Sequence, residues 1–339
     1  MATIKDIARE SGYSVSTVSR VLGGHPDVKA ETAAAVQAVI DRRHFVVNSN
    51  ARNLKSSSST NAILVVIKGR DNMLFASMLE HVQAAVQATG RTVATHYIDE
   101  DANEVADAER LVGEIKPQGV VFLGGDAGNF TAYAHKVGQE CPAVVLTNTV
   151  AAAGRAGVSS VTTDDRAAAR LAIDYLLDRG HSAIGVIGGS PEHSMISLHR
   201  LKGVLDAMMA RGIGFDIEAN YATTRFSLAD GYAAANLLLD KAPGITAIYA
   251  MSDMLALGAR RALHDRGLDV PGDISVFGHD GIPLASYVVP KLVTIRQPQE
   301  LMAQRAVAIL MHHLGGDLTP REEFEDVSIV FGESVRSLM

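Results

Sequence analysis

The sequence has little cysteine and no long apolar run, and each shortage excludes a class of protein. Cys141 is the single cysteine among 339 residues, which excludes an intramolecular disulfide framework and a multi-cysteine zinc site. The apolar runs are broken well before the roughly 20 residues that a membrane span needs. The first ten residues are charged and polar rather than a hydrophobic secretory segment. We therefore expect a cytoplasmic protein that has no membrane partner.

Motifs of common enzyme classes are also missing. The sequence has no Gly-x-Ser-x-Gly, no Gly-x-x-x-x-Gly-Lys-Ser/Thr and no Gly-x-Gly-x-x-Gly after a strand. None of the 12 histidines is spaced to share a metal with a cysteine or a carboxylate cluster, and His312 and His313 are adjacent on one predicted helix and point apart. We expect no catalytic residue, no cofactor and no bound metal.

Charge is unevenly divided between the start of the chain and the rest. Apolar residues make up 47% of the chain and charged residues 20%, a composition typical of a folded protein of two or three domains. Residues 1–60 carry eight Lys or Arg and five Asp or Glu, whereas the remaining residues carry 23 and 33. A basic segment on an acidic body is typical of a polyanion-binding module joined to a second function. Chance is the alternative, because the positive excess is modest.

The first 45 residues have the pattern of three short helices. Thr3 can cap a first helix, and Gly12 ends it. Ser14 opens a second helix over Val15–Leu22, and a third covers Ala30–Arg43. A tight glycine turn between the first two of three short helices is typical of a helix-turn-helix domain.

A polar segment separates these helices from the rest of the chain. Residues 48–60 end in four serines and contain one weakly helical stretch, Asn50–Lys55, which is typical of a linker. From Ala62 onward, strands alternate with helices, which predicts two α/β subdomains with parallel sheets that face a cleft. The predicted strands are Ile63–Ile67, Thr92–Ile98, Gly119–Leu123, Ala143–Leu146, Ala183–Ile187, Tyr221–Thr224, Ala247–Ala250, Ile274–Phe277 and Val327–Phe331. The predicted helices are Phe75–Thr89, Ala102–Ile115, Phe130–Glu140, Arg166–Arg179, His199–Arg211, Leu228–Asp240, Asp253–Arg266 and Gln297–Leu314.

Several stretches, in order along the whole chain, match one pattern. They are Thr3–Leu22, Asn48-x-x-Ala51-x-x-Leu54, Arg179-Gly-His-x-x-Ile184 with Gly188-Gly189, Ser252-Asp253-x-x-Ala256-x-Gly258, and Val270–Asp280 with Thr294–Pro298. Together they resemble the LacI/GalR family of bacterial repressors. The resemblance implies a helix-turn-helix head and two Rossmann-like parallel-sheet subdomains of the periplasmic-binding-protein type. The expected domains are a DNA-binding domain over 1–46, a hinge helix and linker over 47–60, and an effector-binding and dimerisation domain over 61–339, with an N-subdomain of about 61–162 and 292–322 and a C-subdomain of about 163–291 and 323–339.

The resemblance assigns the second helix to the major groove of DNA. In the family the first residues of this helix read bases, which places Val15 and Ser16 there, with Arg20 further along. Val15 suits a thymine methyl, while Arg20 can bond guanine in bidentate fashion or hold a phosphate. An ordinary solvent-facing position is the alternative for each of them. The predicted DNA-contacting residues of the head are Thr3, Ser14, Val15, Ser16, Thr17, Ser19 and Arg20.

Leu54 lies on a short polar segment that has no core for it to join. The resemblance implies that hinge helices of two subunits meet in the minor groove, where paired leucines open a central base step. Asn48 would cap this helix, and Ala51 would allow the two helices to approach closely. A scattered surface leucine or a dimer contact is the alternative. Val47 stands where the family usually has proline, so ordering this helix is expected to cost more.

Ligands of open α/β sheets bind beyond the carboxyl ends of the strands. Carboxylates and arginine can bond hydroxyl groups there. In the family Asp280 matches a carboxylate that grips the ligand, and Phe226 an aromatic ring that stacks on it. Asp253 could instead cap its helix, Phe75 could belong to the core, and Arg200 could brace its subdomain through a salt bridge. The predicted effector-binding residues are Asn72, Leu74, Phe75, Asp126, Thr147, Arg200, Phe226, Asp253 and Asp280.

Two of the positions in the cleft depart from many sugar-responsive members of the family. Leu198 stands where many carry arginine, and Thr147 where many carry aspartate. We expect a homodimeric repressor that binds double-stranded operator DNA and is controlled by a small molecule, with a carbohydrate as the expected class. A nucleoside or another metabolite is the alternative effector. A solute-binding protein or an enzyme of the same architecture is the alternative function, and the helical head argues against a solute receptor.

Overall fold

The computed structural model describes residues 4–22, 28–43, 61–70, 72–136, 138, 140–149 and 157–339. The chain forms two compact units, Met1–Ser58 and Ser59–Met339. Within the described residues, every helix is too short or too polar to cross a membrane.

The first unit is a helix-turn-helix head of three helices, α1 (Ile4–Ser11), α2 (Val15–Leu22) and α3 (Ala30–Arg42). Gly12 adopts a φ of 74° in the turn between α1 and α2, a conformation that glycine reaches without a steric penalty. The predicted glycine turn is therefore confirmed. The helices bury a small apolar core on their facing sides, formed by Ile7, Ala8, Val18, Val36, Val39 and Ile40.

The second unit contains two α/β lobes, of which the first is built from both the beginning and the end of the unit. Its elements are β1 (Ala62–Lys68), α4 (Met73–Ala88), β2 (Thr92–Ile98), α5 (Glu104–Ile115), β3 (Gly119–Leu123), α6 (Ala127–Lys136), β4 (Ala143–Leu146), β5 (Val158–Thr163), α12 (Gln299–Leu314) and β11 (Glu322–Glu325). The described strands lie in the order β11-β5-β4-β3-β1-β2, and all pairs are parallel. Helices cover both faces, so β3 and β4 are buried throughout.

The second lobe repeats this architecture. Its elements are α7 (Asp165–Leu177), β6 (Ile184–Gly188), α8 (Met195–Ala210), α9 (Ile217–Asn220), β7 (Tyr221–Thr223), α10 (Leu228–Lys241), β8 (Ala247–Ala250), α11 (Asp253–Asp265), β9 (Ser275–Asp280), a 3-10 turn (Pro283–Ser286), β10 (Val293–Arg296) and β12 (Ser328–Val330). The described strands lie in the order β12-β10-β9-β8-β6-β7. Only the pair of β10 and β12 in this described sheet is antiparallel. The predicted α/β fold class is confirmed.

The chain passes between the lobes after β5, after β10 and after β11. These crossings correct the expected subdomain boundaries at two places. Residues 293–296 form β10, which pairs with β9 and so belongs to the second lobe. Residues 322–325 form β11, which extends the first sheet by pairing with β5. Residues 293–296 and 323–325 therefore pair in the sheet opposite to the one expected.

Candidate functional site

The start of α2 presents a small, polar surface. Ser14 Oγ accepts a hydrogen bond from the Thr17 amide at 3.1 Å and so caps the helix. The same hydroxyl lies 2.7 Å from Ser16 Oγ and 2.8 Å from Thr17 Oγ1. Val15 is 43% exposed, and Arg20 is exposed near the end of the helix. Short side chains at the start of an exposed helix are what close approach to base edges requires.

Some of the residues predicted to contact DNA lie outside the part of the chain that the structure describes. Thr3, Asn48, Ala51 and Leu54 lie outside the described residues. Ser19 lies in α2, but its side chain is likewise outside the description. The roles of these five residues stay predictions, as do those of the other residues predicted to contact DNA.

A cavity of about 960 Å³ lies between the two lobes. The carboxyl ends of β1, β3 and β4 open on it from the first lobe, and those of β6, β7 and β9 from the second. Eight of the nine predicted effector residues line this cavity, so residues far apart in sequence meet as the topology of α/β sheets requires. They are Asn72, Leu74, Phe75, Asp126, Thr147, Arg200, Phe226 and Asp280.

Asp253 is the ninth, and the structure corrects its role. Its carboxylate is buried behind the cavity wall, where Oδ2 accepts from the Ile282 amide at 2.8 Å and Oδ1 from Thr294 Oγ1 at 2.5 Å. The alternative that Asp253 caps α11 is also wrong, because Ser252 Oγ accepts from the Leu255 amide at 3.1 Å. Burial raises the pKa of Asp253 well above its ordinary value. Asp253 therefore holds together the segments that follow β9 and contain β10.

Asp280 ends β9 at the cavity with little exposure, 4%. Gln297 Nε2 donates to its Oδ1 at 2.9 Å. Burial raises the pKa of Asp280 to about 7, although Arg200 and the hydrogen bond from Gln297 act in the opposite direction. Its φ is 116°, which is rare for any residue other than glycine. The cavity is thus lined by a nearly buried carboxylate on a strained backbone, and its raised pKa of about 7 makes its charge depend on pH near neutrality.

Arg200 braces its subdomain through a salt bridge and also lines the cavity. Its Nε donates to Asp165 Oδ1 at 2.7 Å, and its Nη1 donates to the Met251 carbonyl oxygen. Both members of this ion pair are buried, so it braces α7 against α8. The guanidinium also lines the cavity and acts on the charge of Asp280. Because the Arg200 guanidinium is already paired with Asp165, it is held in one orientation toward the cavity.

The first lobe contributes apolar surface and fixed polar groups to the cavity wall. Asn72 accepts from the Leu74 amide at 3.0 Å and caps α4. Phe75 belongs to the core and to the cavity lining at once, since it is 8% exposed. Gly124 makes room for its ring, because a Cβ there would lie 2.8 Å from Phe75 Cζ. Thr147 has a φ of 68° and a buried hydroxyl that lacks a hydrogen-bond partner in the described structure.

Glu104 is a functional candidate that sequence reasoning missed. It is fully buried, and its Oε2 lies 2.8 Å from Lys68 Nζ in the cavity wall. Its Oε1 accepts from the Asp126 amide at 2.7 Å and from Asn129 Nδ2 at 3.2 Å. A glutamate directly after the capping Asn103 resembles an ordinary first-turn acid in the sequence. Its long-range partners are visible only in the fold.

The second lobe directs the N-terminal ends of three helices at the cavity. Ser194, Ser227 and Ser252 line the cavity and cap α8, α10 and α11. Phe226 packs its ring against Gly189, where a Cβ would lie 2.8 Å from Phe226 Cε2. A serine followed by a helix could have signalled these caps. Together they give the cavity hydrogen-bonding groups and one flat aromatic face.

Comparison with known proteins identifies the family to which these sites belong. Residues 3–48 match the family model described as bacterial regulatory proteins, lacI family, and residues 173–335 match a periplasmic binding protein-like domain. The chain is 36% identical over 338 residues to the HTH-type transcriptional regulator MalR of Clostridium butyricum, with 98% of each chain covered. The chain belongs to the lacI family. This lacI-family chain is a helix-turn-helix transcriptional regulator and binds DNA through its head.

Two solved structures resemble this lacI-family chain over nearly its full length. The transcriptional regulator CelR in complex with cellobiose has a TM-score of 0.73 and 25% identity, covering 98% of this chain and 100% of CelR. The lac repressor dimer bound to operator and an anti-inducer has a TM-score of 0.73 and 23% identity, covering 99% of both chains. The second of these likenesses concerns the fold alone.

Proposed function

We propose that this lacI-family regulator is a dimeric repressor whose operator affinity is controlled by a carbohydrate bound between the lobes. The observation that carries the proposal is the lined cavity between the lobes, where Asp280, Arg200 and Phe226 converge from separate elements. A ligand there touches both lobes at once. It therefore favours one lobe arrangement over another by its differential affinity for the two.

The lining supports a carbohydrate of more than one ring. A cavity of about 960 Å³ lies at the upper end of the range for small-molecule sites. Carboxylates, arginines and capping hydroxyls suit sugar hydroxyl groups, and Phe75 and Phe226 offer apolar surface to ring faces. CelR, a relative of this chain in fold and sequence, binds cellobiose. We therefore place disaccharides first among the candidate ligands.

The structure of the head supports the proposal that each protomer reads one operator half-site. The exposed start of α2 carries Val15 and Ser16, and Arg20 follows on the same helix. A dimer with two-fold symmetry reads a near-palindromic operator, because each head meets the same half-site. We infer that the segment with Asn48, Ala51 and Leu54 joins the head to the lobes as a hinge helix in the minor groove.

An exposed apolar loop supports the dimer. Tyr287 and Val289 follow the 3-10 turn in the second lobe and are 83% and 91% exposed. Large apolar side chains that face water in one protomer are favoured at an interface with another.

We place the repressor in the cytoplasm, where it meets its operator, and assign binding rather than catalysis to the cavity. Arg200 in the cavity wall is already paired with the buried Asp165.

A two-step experiment tests this function. Selection from random duplexes first yields the preferred operator, which we expect to be near-palindromic. Operator affinity and melting temperature are then measured with cellobiose, other disaccharides, monosaccharides and nucleosides, since a ligand of the folded state raises its melting temperature. We expect a disaccharide to raise the melting temperature and lower operator affinity. A response to nucleosides alone would favour the alternative effector, and a failure to select any duplex would contradict operator binding.

A further inference from the structure

Arg225 joins the two lobes through three acidic side chains. It follows β7 in the second lobe, and its partners follow β2 in the first. Its Nε lies 3.2 Å from Glu100 Oε2, and its Nη2 lies 3.3 Å from both Asp99 Oδ1 and Asp101 Oδ2. One guanidinium thus meets three consecutive carboxylates across the cavity, and all four residues line it.

These contacts lie at a specific edge of the two sheets. The chain crosses between the lobes beside β5, β10, β11 and β12, which lie at one edge of the two sheets. Strands β2 and β7 form the opposite edges. Arg225 therefore links the lobes at the edge away from the covalent connections, where opening of the cleft separates the sheets most.

We propose that Arg225 with Asp99, Glu100 and Asp101 forms a clasp that holds the cleft closed and thereby sets effector affinity. Arg225 is a positioning residue, because it precedes Phe226 and fixes how closely that ring approaches the first lobe. Opening of the clasp breaks three ion pairs while leaving the crossings intact. The clasp is accessible to water, so salt in the medium weakens it.

The clasp extends the proposed function, since it concerns the lobe movement through which a ligand would act. It can be tested without ligand or operator. Cys141 is 2% exposed, and burial raises the pKa of its thiol to about 11, so it resists thiol-directed labels. Spin labels at Ala106→Cys in α5 and Ala233→Cys in α10, both exposed positions, report the distance between the lobes. Dilution with excess unlabelled full-length protein keeps one labelled protomer per dimer.

The decisive variant is Arg225→Gln, and Arg261→Gln is its matched control. Arg261 is an exposed arginine whose partner Asp265 lies one turn along the same helix, 2.9 Å away, so this pair does not span the lobes. We expect Arg225→Gln to raise the ratio of long to short distances about three- to tenfold. The control should leave the distribution unchanged. About 1 M NaCl should shift the wild-type distribution in the same direction and leave Arg225→Gln almost unaffected.

Neutralising the other side of the clasp provides a second test. The triple variant Asp99→Asn, Glu100→Gln and Asp101→Asn should reproduce the shift of Arg225→Gln, while Arg225→Lys should fall between it and the wild type. Unchanged distances in both neutralised variants would overturn the clasp. Because no ligand or DNA is present, that result would leave the proposed repressor function intact.

Discussion

Replacement of the Asp280 carboxylate by an amide changes two properties of the cleft that can be measured separately. Burial raises the pKa of this group from 3.8 to about 7. The folded protein therefore retains a proton at pH values where the unfolded chain has lost it. By linkage, the free energy of unfolding decreases as the pH rises from about 4 to 7, and the difference corresponds to about 4 kcal/mol. This contribution is complete below pH 4 and lost above pH 7.

Asp280→Asn removes the contribution of Asp280 itself, because the amide carries no charge at any pH, while its oxygen can still accept from Gln297. Urea unfolding between pH 5 and 8 measures the effect. We expect the stability of the variant relative to the wild type to increase by about 2–3 kcal/mol across this range. Asp265→Asn is the control, since the hydrogen bond from Arg261 lowers the pKa of that exposed carboxyl. Parallel curves for wild type and Asp280→Asn would refute the electrostatic reasoning.

The same variant tests the ligand site. We expect Asp280→Asn to lose its response to the effector and to keep the operator affinity of the ligand-free protein, because the substitution lies in the cleft of the second unit. Fluorescence anisotropy with a labelled operator measures both. Normal induction would move the ligand away from Asp280.

The remaining predictions concern the head, the hinge, the aromatic wall and the dimer. Arg20→Ala should weaken operator binding by about 1–3 kcal/mol in a filter or anisotropy assay and change its salt dependence or sequence preference. Leu54→Ala should weaken operator binding far more than random-duplex binding, and equal losses would contradict a wedge. Phe226→Ala should weaken effector binding about tenfold by calorimetry, since one ring face is lost. Tyr287→Asp should yield monomers in sedimentation at concentrations where the wild type is dimeric, because it buries a charge at an apolar interface.

Elements with one dominant physical signal could be predicted from the sequence. Strands β3, β4 and β8 have the predicted boundaries, since short apolar runs between turn residues form buried parallel strands. Strand β2 also has its predicted boundaries, although most of its residues are exposed or only partly buried. Helix α2 also begins and ends as predicted, because Ser14 caps it.

The sequence does not predict the elements that lack such a signal. Strand β5, Val158–Thr163, has valine at only two of its six positions and serine or threonine at the others, yet it is buried throughout. Strand β11, Glu322–Glu325, is rich in acids and is a strand only because it pairs with β5 at the sheet edge. Helix α8 begins at Met195 rather than at the predicted His199, because Ser194 caps it by accepting from the Ser197 amide. The secondary structure of these segments depends on their tertiary contacts rather than on the local sequence pattern.

The residues of the candidate site also differ in whether the sequence predicts them. Asp280 and Phe226 could be named from the sequence because they follow strands at the carboxyl edge of the sheets. Glu104 and Arg225 could not, since their partners lie 22 or more residues away and in one case in the other lobe. Asp253 was misassigned because the sequence shows only that it begins a helix, whereas the fold buries it among Ile282 and Thr294.

Backbone strain is concentrated where the lobes face each other across the cavity. Of the described non-glycine residues with positive φ, Thr147 and Asp280 lie at strand ends in opposite lobes and both line the cavity. Such a conformation costs about 1–3 kcal/mol, and the β-branched Thr147 adopts it with difficulty. Its buried hydroxyl also lacks a partner in the described structure. Stability alone would favour glycine or a satisfied side chain at these positions. We therefore expect the bound effector to supply the missing hydrogen bond to Thr147 Oγ1, so that ligand binding recovers part of what the empty cleft costs.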